Sequence, residues 1–250
     1  MKLVLQYIYI QFIIAKNHKL DLVLSIINFV VTQVTSFIFI DIINGFSNIE
    51  WTYNELLFLH GFSTVVISLD SFLFANIATL EQKVNHGNFD IFLIKPQSVL
   101  FQIIFEKNSV SDLFCAAFGV LYIVISASSL EFNILFLFIG FAMSLAIIFF
   151  VKLLIVSTTF WTNSSFTIYV TLQNLLSFGK YPITLFTYGM QVILVSIVPI
   201  GLVSSIPVMV ILYKLSPIWF VYMFVVLVLF SSMAIFTWKK GLEKYQSPGN

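Results

Sequence analysis

Long apolar runs separated by short polar links set the pattern of this chain. A helix needs about 20 apolar residues to cross a bilayer. Six segments approach or exceed that length: 22–44, 55–80, 110–130, 134–156, 183–206 and 218–238. The first follows Asp21 and stops at Asn44-Gly45, a normal helix ending. Asn28, Thr32, Gln33 and Thr35 interrupt it, and uncharged polar side chains in a spanning helix usually turn toward neighbouring helices. Trp51 and Tyr53 fall where an interfacial aromatic belt is expected. The very short turn Glu131-Phe132-Asn133 makes the third and fourth spans antiparallel neighbours, and Gly140, Ala142 and Ser144 give the fourth a small-residue face. Pro199 and Gly201 break the fifth. Pro207 and Pro217 bracket an apolar piece too short to cross, which suits a re-entrant or interfacial hairpin, since irregular backbone is tolerated where protein covers it.

Three segments depart from this pattern. Residues 1–20 mix apolar positions with Lys2, Gln6, Gln11 and Lys16 and read as an amphipathic helix lying in the cytoplasmic interface. Residues 157–182 carry Ser164, Thr167, Thr171 and Asn174 at helical spacing and read as an amphipathic segment at the cytoplasmic surface, ended by Gly179 and Pro182. The longest polar interruption begins at Glu81. Its loop, 81–109, has a Gly-Asn-Phe-Asp turn signal at 87–90 and a Lys-Pro pair at 95–96. The expected fold is therefore an all-α polytopic membrane protein in one domain, 1–250. It has six transmembrane helices, an N-terminal interfacial helix and a structured cytoplasmic loop.

Composition agrees. Sixty per cent of the residues are hydrophobic and only nine per cent charged, against about 25% charged in a typical globular domain. So few charges could not cover a soluble protein of 250 residues. The net charge of +1 points to no anionic partner, nucleic acid included, but the placement of charge is informative. All twelve basic residues are lysines, and on the six-span reading eleven lie on one side, with Lys214 alone on the other. By the positive-inside rule both termini and the 81–109 loop are cytoplasmic. Asp41 and Lys152 lie near span ends, where both can snorkel to the interface. One cysteine, Cys115, permits neither an intrachain disulfide nor a cysteine metal cluster.

Catalytic chemistry has little support. His18, His60 and His86 are far apart and form no metal-ligand pattern. No Walker A sequence is present, so the chain is not expected to hydrolyse ATP itself, and no Gly-x-Ser-x-Gly elbow or paired-carboxylate motif appears. Asp70 is the sharpest single residue. A charge in mid-helix costs on the order of 3 kcal/mol on insertion scales, so it must face the protein interior or a watery path. It belongs either to a substrate route or dimer seam, or to a structural hydrogen-bond set with Asn28, Gln33 or Ser71. Asp70, Asn28 and Gln33 are the candidate substrate-pathway residues.

The sequence Gly87-Asn88-Phe89-Asp90-Ile91-Phe92-Leu93-Ile94-Lys95-Pro96 resembles the first cytoplasmic loop of ABC-2 type permeases. Three further pieces resemble the same family in order: Phe178-Gly179-Lys180-Tyr181-Pro182, the spaced Pro199 and Pro207, and Gly241-Leu242-Glu243-Lys244-Tyr245-Gln246-Ser247. Lysine stands where the family often has arginine. The resemblance implies a permease subunit of an ABC transporter, an exporter of the bacterial plasma membrane. It would pair with a second copy or a related permease and dock on a separate ATP-binding subunit that carries ATP and Mg. It also implies that Gly87, Phe89, Asp90, Phe92, Lys95 and Pro96 form a short coupling helix. Phe89 and Phe92 would be aromatic knobs, Asp90 its cap and Pro96 its end. The alternatives are an ion-coupled secondary transporter using Asp70, and a polytopic membrane enzyme or assembly subunit.

Overall fold

The computed structural model describes residues 19–45, 50–106 and 109–247. The interfacial helix expected over 1–20 lies almost wholly outside them. Every regular element among the described residues is helical. Five stretches are long and apolar enough to cross a membrane: Val23–Asn44, Tyr53–Asn85, Val110–Ala127, Ile134–Thr162 and Ile218–Lys244.

Helix α1 is Lys19–Asn44. It packs loosely, and most of its apolar side chains stay exposed. Helix α2, Tyr53–Phe74, starts at a capping box: the Thr52 hydroxyl accepts from the Glu55 amide, and the Glu55 carboxylate accepts from the Thr52 amide. A 3₁₀ turn, Ala75–Thr79, joins it to α3, Leu80–Asn85. The loop contains α4, Asp90–Leu93, and α5, Val99–Ile104. Helix α6, Val110–Ala127, then returns along α2. Gly61 and Gly119 let these two backbones touch: a Cβ on Gly61 would stand 2.8 Å from the Gly119 carbonyl, and one on Gly119 would stand 2.9 Å from the Gly61 carbonyl. Small residues at such a crossing substitute van der Waals contact for the hydrophobic force that lipid does not supply.

Asn133 receives the Leu135 and Phe136 amides and opens α7, Ile134–Ser157, as the short turn predicts. Its apolar extension α8, Thr159–Thr162, ends where Asn163 takes a left-handed conformation. Helix α13, Ile218–Lys244, packs along α7 and closes the bundle.

The contacts define two ends. At one, the Asn54 side chain donates to Ser129 Oγ at 2.7 Å, and the Asn133 amide donates to the Ile211 carbonyl at 3.1 Å. There Lys214 reaches the Glu50 carbonyl and Glu55 at 2.6 and 2.8 Å and lies over the Trp51 ring. At the other end sits the 81–106 loop.

Between α7 and α13 the structure departs from expectation. The segment expected to lie on the cytoplasmic surface contains α9, Phe166–Leu176, and this helix buries Tyr169, Leu172 and Leu176 in the protein. The expected polar stripe is real, for Thr167, Thr171 and Asn174 are exposed, but the opposite face packs on α7 instead of on lipid headgroups. The expected fifth span, 183–206, is not one helix. A 3₁₀ turn over Ser177–Lys180 and another over Ile183–Leu185 lead to α10, Tyr188–Ser196, α11, Ile200–Val203, and α12, Ser205–Ile211.

The anchors trace this path. Phe166 is tied to Glu81 at the loop end. Thr184 receives the Trp51 indole N–H at 3.2 Å at the opposite end, so the chain passes from one end of the bundle to the other between residues 166 and 184. Residues 188–211 then dip inward and return, with Pro199 and Val203 against Ile147, Ile148 and Val151 of α7. A hairpin was expected only after Pro207, whereas the turning point is at Pro199. Side chains satisfy much of this irregular backbone. Ser63 donates to the Gly179 carbonyl, Ser205 donates to the Tyr181 carbonyl and accepts from the Ile183 amide, and Gln191 donates to the Phe186 carbonyl. Such pairing is obligatory where water is excluded.

This path fixes relative sidedness. In a Cys115→Ser background, Tyr188→Cys and Glu131→Cys should react with a membrane-impermeant maleimide in the same vesicle orientation, and Ser98→Cys in the opposite one. Reaction of Tyr188→Cys from the Ser98 side would restore 183–206 as a span.

Candidate functional site

The loop is built from the inside outward. Gly87 has φ of 74°, a conformation that suits glycine and that reverses the chain after α3. The reversal drives Phe89 into the protein, where it is fully buried, with its ring 5.6 Å from Phe160 and 4.7 Å from Tyr245. Phe92 is buried too, with the Lys83 and Lys95 ammonium groups over its ring at 5.5 and 5.6 Å. The two phenylalanines are therefore anchors and not projecting knobs. The Gly87 turn and the apolar pocket between α8 and α13 favour burying them over offering them to a partner. What projects is Ile91, Leu93 and above all Ile94, at 84% exposure, followed by exposed Lys95 and Pro96.

Asp90 does not cap α4. Phe89 occupies that position, and the Asp90 carboxylate instead accepts from Tyr245 Oη at 2.9 Å and Ser247 Oγ at 2.6 Å. Burial, reinforced by the bond to Asp90 and its charge, pushes the Tyr245 phenol up to about 12. It stays a donor throughout the neutral range. Gly241 completes the arrangement, since a Cβ there would stand 2.2 Å from the Phe160 ring. The loop pattern Gly-x-Phe-Asp and the tail pattern Gly-Leu-x-x-Tyr-x-Ser are thus two halves of one clasp. Other ties hold the loop down. Gln102 donates to the Phe92 and Gln97 carbonyls at 3.0 and 2.9 Å, Asn76 donates to the Ile104 carbonyl, and Lys83 pairs with Glu106 at 2.6 Å. Glu81 accepts the amides of Ser165 and Phe166 at the start of α9.

Asp70 lies within the bundle, as its charge requires, but its partner is Lys152, and both side chains are fully buried. Asn28, Gln33 and Ser71 do not hold it. Lys152 does not snorkel either. It ion-pairs with Asp70 while its ammonium lies 5.3 Å from the Tyr169 ring centre. Both charges sit roughly 25–27 Å along their helices from the Glu55 end, counting 1.5 Å per residue, so a chain reading from both ends could have matched their depths.

Asn28 and Gln33 do come together. They line a cavity of about 430 Å³ among α1, α2, α6 and the 177–180 turn, with Ser25, Thr32, Thr64, Ser68 and Asp112 on its walls and Lys180 in its lining. His60 and the Gln33 side-chain oxygen are 2.8 Å apart. Asp70 is not in this lining. Lys180, Thr64, Lys152 and the Tyr245–Ser247 pair were missed as site residues. Lys180 was assigned to a surface link, because only the broken path of 166–187 carries it into the bundle. Among the described residues no cluster of three or more His, Cys, Asp or Glu side chains could hold a metal.

Several long apolar helices, a polar cavity among them and a structured loop beyond the bundle mark a multi-pass membrane protein. The family model for ABC-2 family transporter proteins matches residues 29–249, so the chain belongs to that family. It is a membrane permease of an ABC transporter, and the family implies an ATP-binding partner subunit. No curated protein and no solved structure matches it.

The ion pair has a measurable signature. Asp70→Asn or Lys152→Met alone leaves one charge buried, which costs about 3–5 kcal/mol. The double variant should recover most of the thermal stability lost in detergent. Single variants that melt like the wild type would show that the pair carries no structural load.

Proposed function

We propose that this chain is one permease subunit of an exporter, crosses the membrane six times, and has both termini and the 81–109 loop in the cytoplasm. The sixth crossing is the broken passage through α9. A separate ATP-binding subunit, which holds the ATP and Mg, docks on the loop. The observation that carries this reading is the exposed apolar edge Ile91–Ile94 on an otherwise polar loop that is anchored to the bundle by Phe89 and Phe92. An exposed isoleucine on a braced helix suits insertion into a cleft of a partner, and the bracing lets a push on it reach α7 and α13. With Lys152 and Lys180 taken inside the bundle, the remaining lysines still favour the loop side.

A second copy or a related permease completes the substrate route. The exposed stripe Thr167, Thr171 and Asn174, on a helix whose other face is inside the protein, supports a polar passage between two bundles. The setting is the bacterial plasma membrane. An ion-coupled transporter is disfavoured because Asp70, its candidate group, is neutralised by Lys152.

The test is co-purification with the co-expressed ATP-binding subunit. Ile94→Glu should abolish complex formation while leaving membrane insertion and melting unchanged. Phe89→Ala should lower melting first, by about 3 kcal/mol for a fully buried ring. An Ile94→Glu variant that still holds the motor would remove this edge as the docking point.

A further inference from the structure

We propose that the cavity among α1, α2, α6 and the 177–180 turn is a binding site for an anionic group, a phosphate or carboxylate, seated on Lys180. Three residues with hydrogen-bond donors, Lys180, Thr64 and Gln33, line it. The Lys180 ammonium has no ion-pair or hydrogen-bond partner among the described residues and lines the cavity. Thr64 lines it as well, is 5% exposed, and carries a buried hydroxyl with no hydrogen-bond partner. With the His60 proton on Nε2, the Gln33 carbonyl oxygen is taken at 2.8 Å, which leaves its amide N–H₂ as the free function at the wall. A cation, a hydroxyl and an amide N–H₂ together match an oxyanion.

The depth of Lys180 makes this more than a surface lysine. Its neighbour Gly179 accepts from Ser63, which lies about 15 Å along α2 from the Tyr53 end at 1.5 Å per residue. That is near the middle of a core about 30 Å thick, where an ionisable side chain is a functional candidate by default. The Asp70 carboxylate pairs with Lys152 through one oxygen, and its other oxygen is buried without a hydrogen-bond partner. Asp112 lines the cavity from the first turn of α6, with Ser109 and Ser111. Counting from Thr64 to Ser71 on α2, this inner end lies about 10 Å below the Lys180 end. The cavity therefore suits an elongated ligand with its anion at the Lys180 end and hydrogen-bonding groups toward Asp112, Ser109 and Ser111. Such an anion could enter as a lipid headgroup or as a free solute.

That the bound anion is transport cargo rests on the permease reading. Binding is measured without the motor subunit, so its failure is separable from a failure of coupling. The purified protein, in phosphatidylcholine nanodiscs, is titrated with dioleoylphosphatidic acid or with glycerol 3-phosphate, and melting is followed. At least one anion should raise the melting temperature of the wild type. Lys180→Gln should weaken that anion at least tenfold, Thr64→Val should weaken it less, and Lys180→Arg should retain it. A response to the lipid alone makes the site a headgroup site; a response to glycerol 3-phosphate makes it a solute site. No response to either anion overturns the proposal. So does an equal response in Lys180→Gln, provided that variant melts normally without ligand.

Discussion

Two charges buried at matching depth, Asp70 on α2 and Lys152 on α7, set the register on which the loop end depends. Neither could remain charged in the bilayer interior alone. Together they fix how far one helix slides against the other. The consequences appear beyond them along the same helices. Below Asp70, α2 runs through a 3₁₀ turn into α3 and the Gly87 reversal. Below Lys152, α7 runs into α8, whose Phe160 receives Phe89. A slip of one turn, 5.4 Å, would carry Phe89 away from Phe160 and leave a buried ring without its pocket.

From that register follows the clasp. Phe89 enters an aromatic pocket made by Phe160, Trp238 and Tyr245, which come from two different helices and the tail. Asp90, next in sequence, takes the two hydroxyls that the tail brings past it. Adjacent residues thus make one apolar and one polar attachment, and the intervening backbone leaves only Ile91, Leu93 and Ile94 outside. For the docking proposed above, this division supplies an inner face that is tied to the bundle and an outer face that a partner can grip.

Much of the bundle was legible from the run lengths alone. Four of the expected spans, 22–44, 55–80, 110–130 and 218–238, match long helices, and so does 134–156. Position 183–206 misled because its apolar content is that of a span, while Pro199, Gly201 and Pro207 turn it back on itself. The passage from one end of the bundle to the other, through α9, reads in sequence as a surface helix because Thr167, Thr171 and Asn174 dominate its pattern; the buried Tyr169, Leu172 and Leu176 are the weaker signal that it packs on the bundle. At the loop, three expected roles differ in the structure: Phe89 and Phe92 are buried, and Asp90 binds the tail instead of capping α4. A buried anchor and an exposed knob are the same letter, Phe, and only the positive φ at Gly87 decides which way it points. The pairing of Asp90 with Tyr245 and Ser247 spans more than 150 residues, beyond the reach of local spacing.

The clasp should hold the loop and the end of α13 together as one body throughout transport. It is tested by Asp90→Cys with Ser247→Cys in a Cys115→Ser background, joined by a short bifunctional thiol reagent after assembly with the ATP-binding subunit in vesicles. Efficient cross-linking is expected, with ATP-driven transport that matches the uncross-linked double variant. Cross-linking that leaves ATP hydrolysis running but stops transport would contradict it, because the loop would then have to part from the tail to do its work.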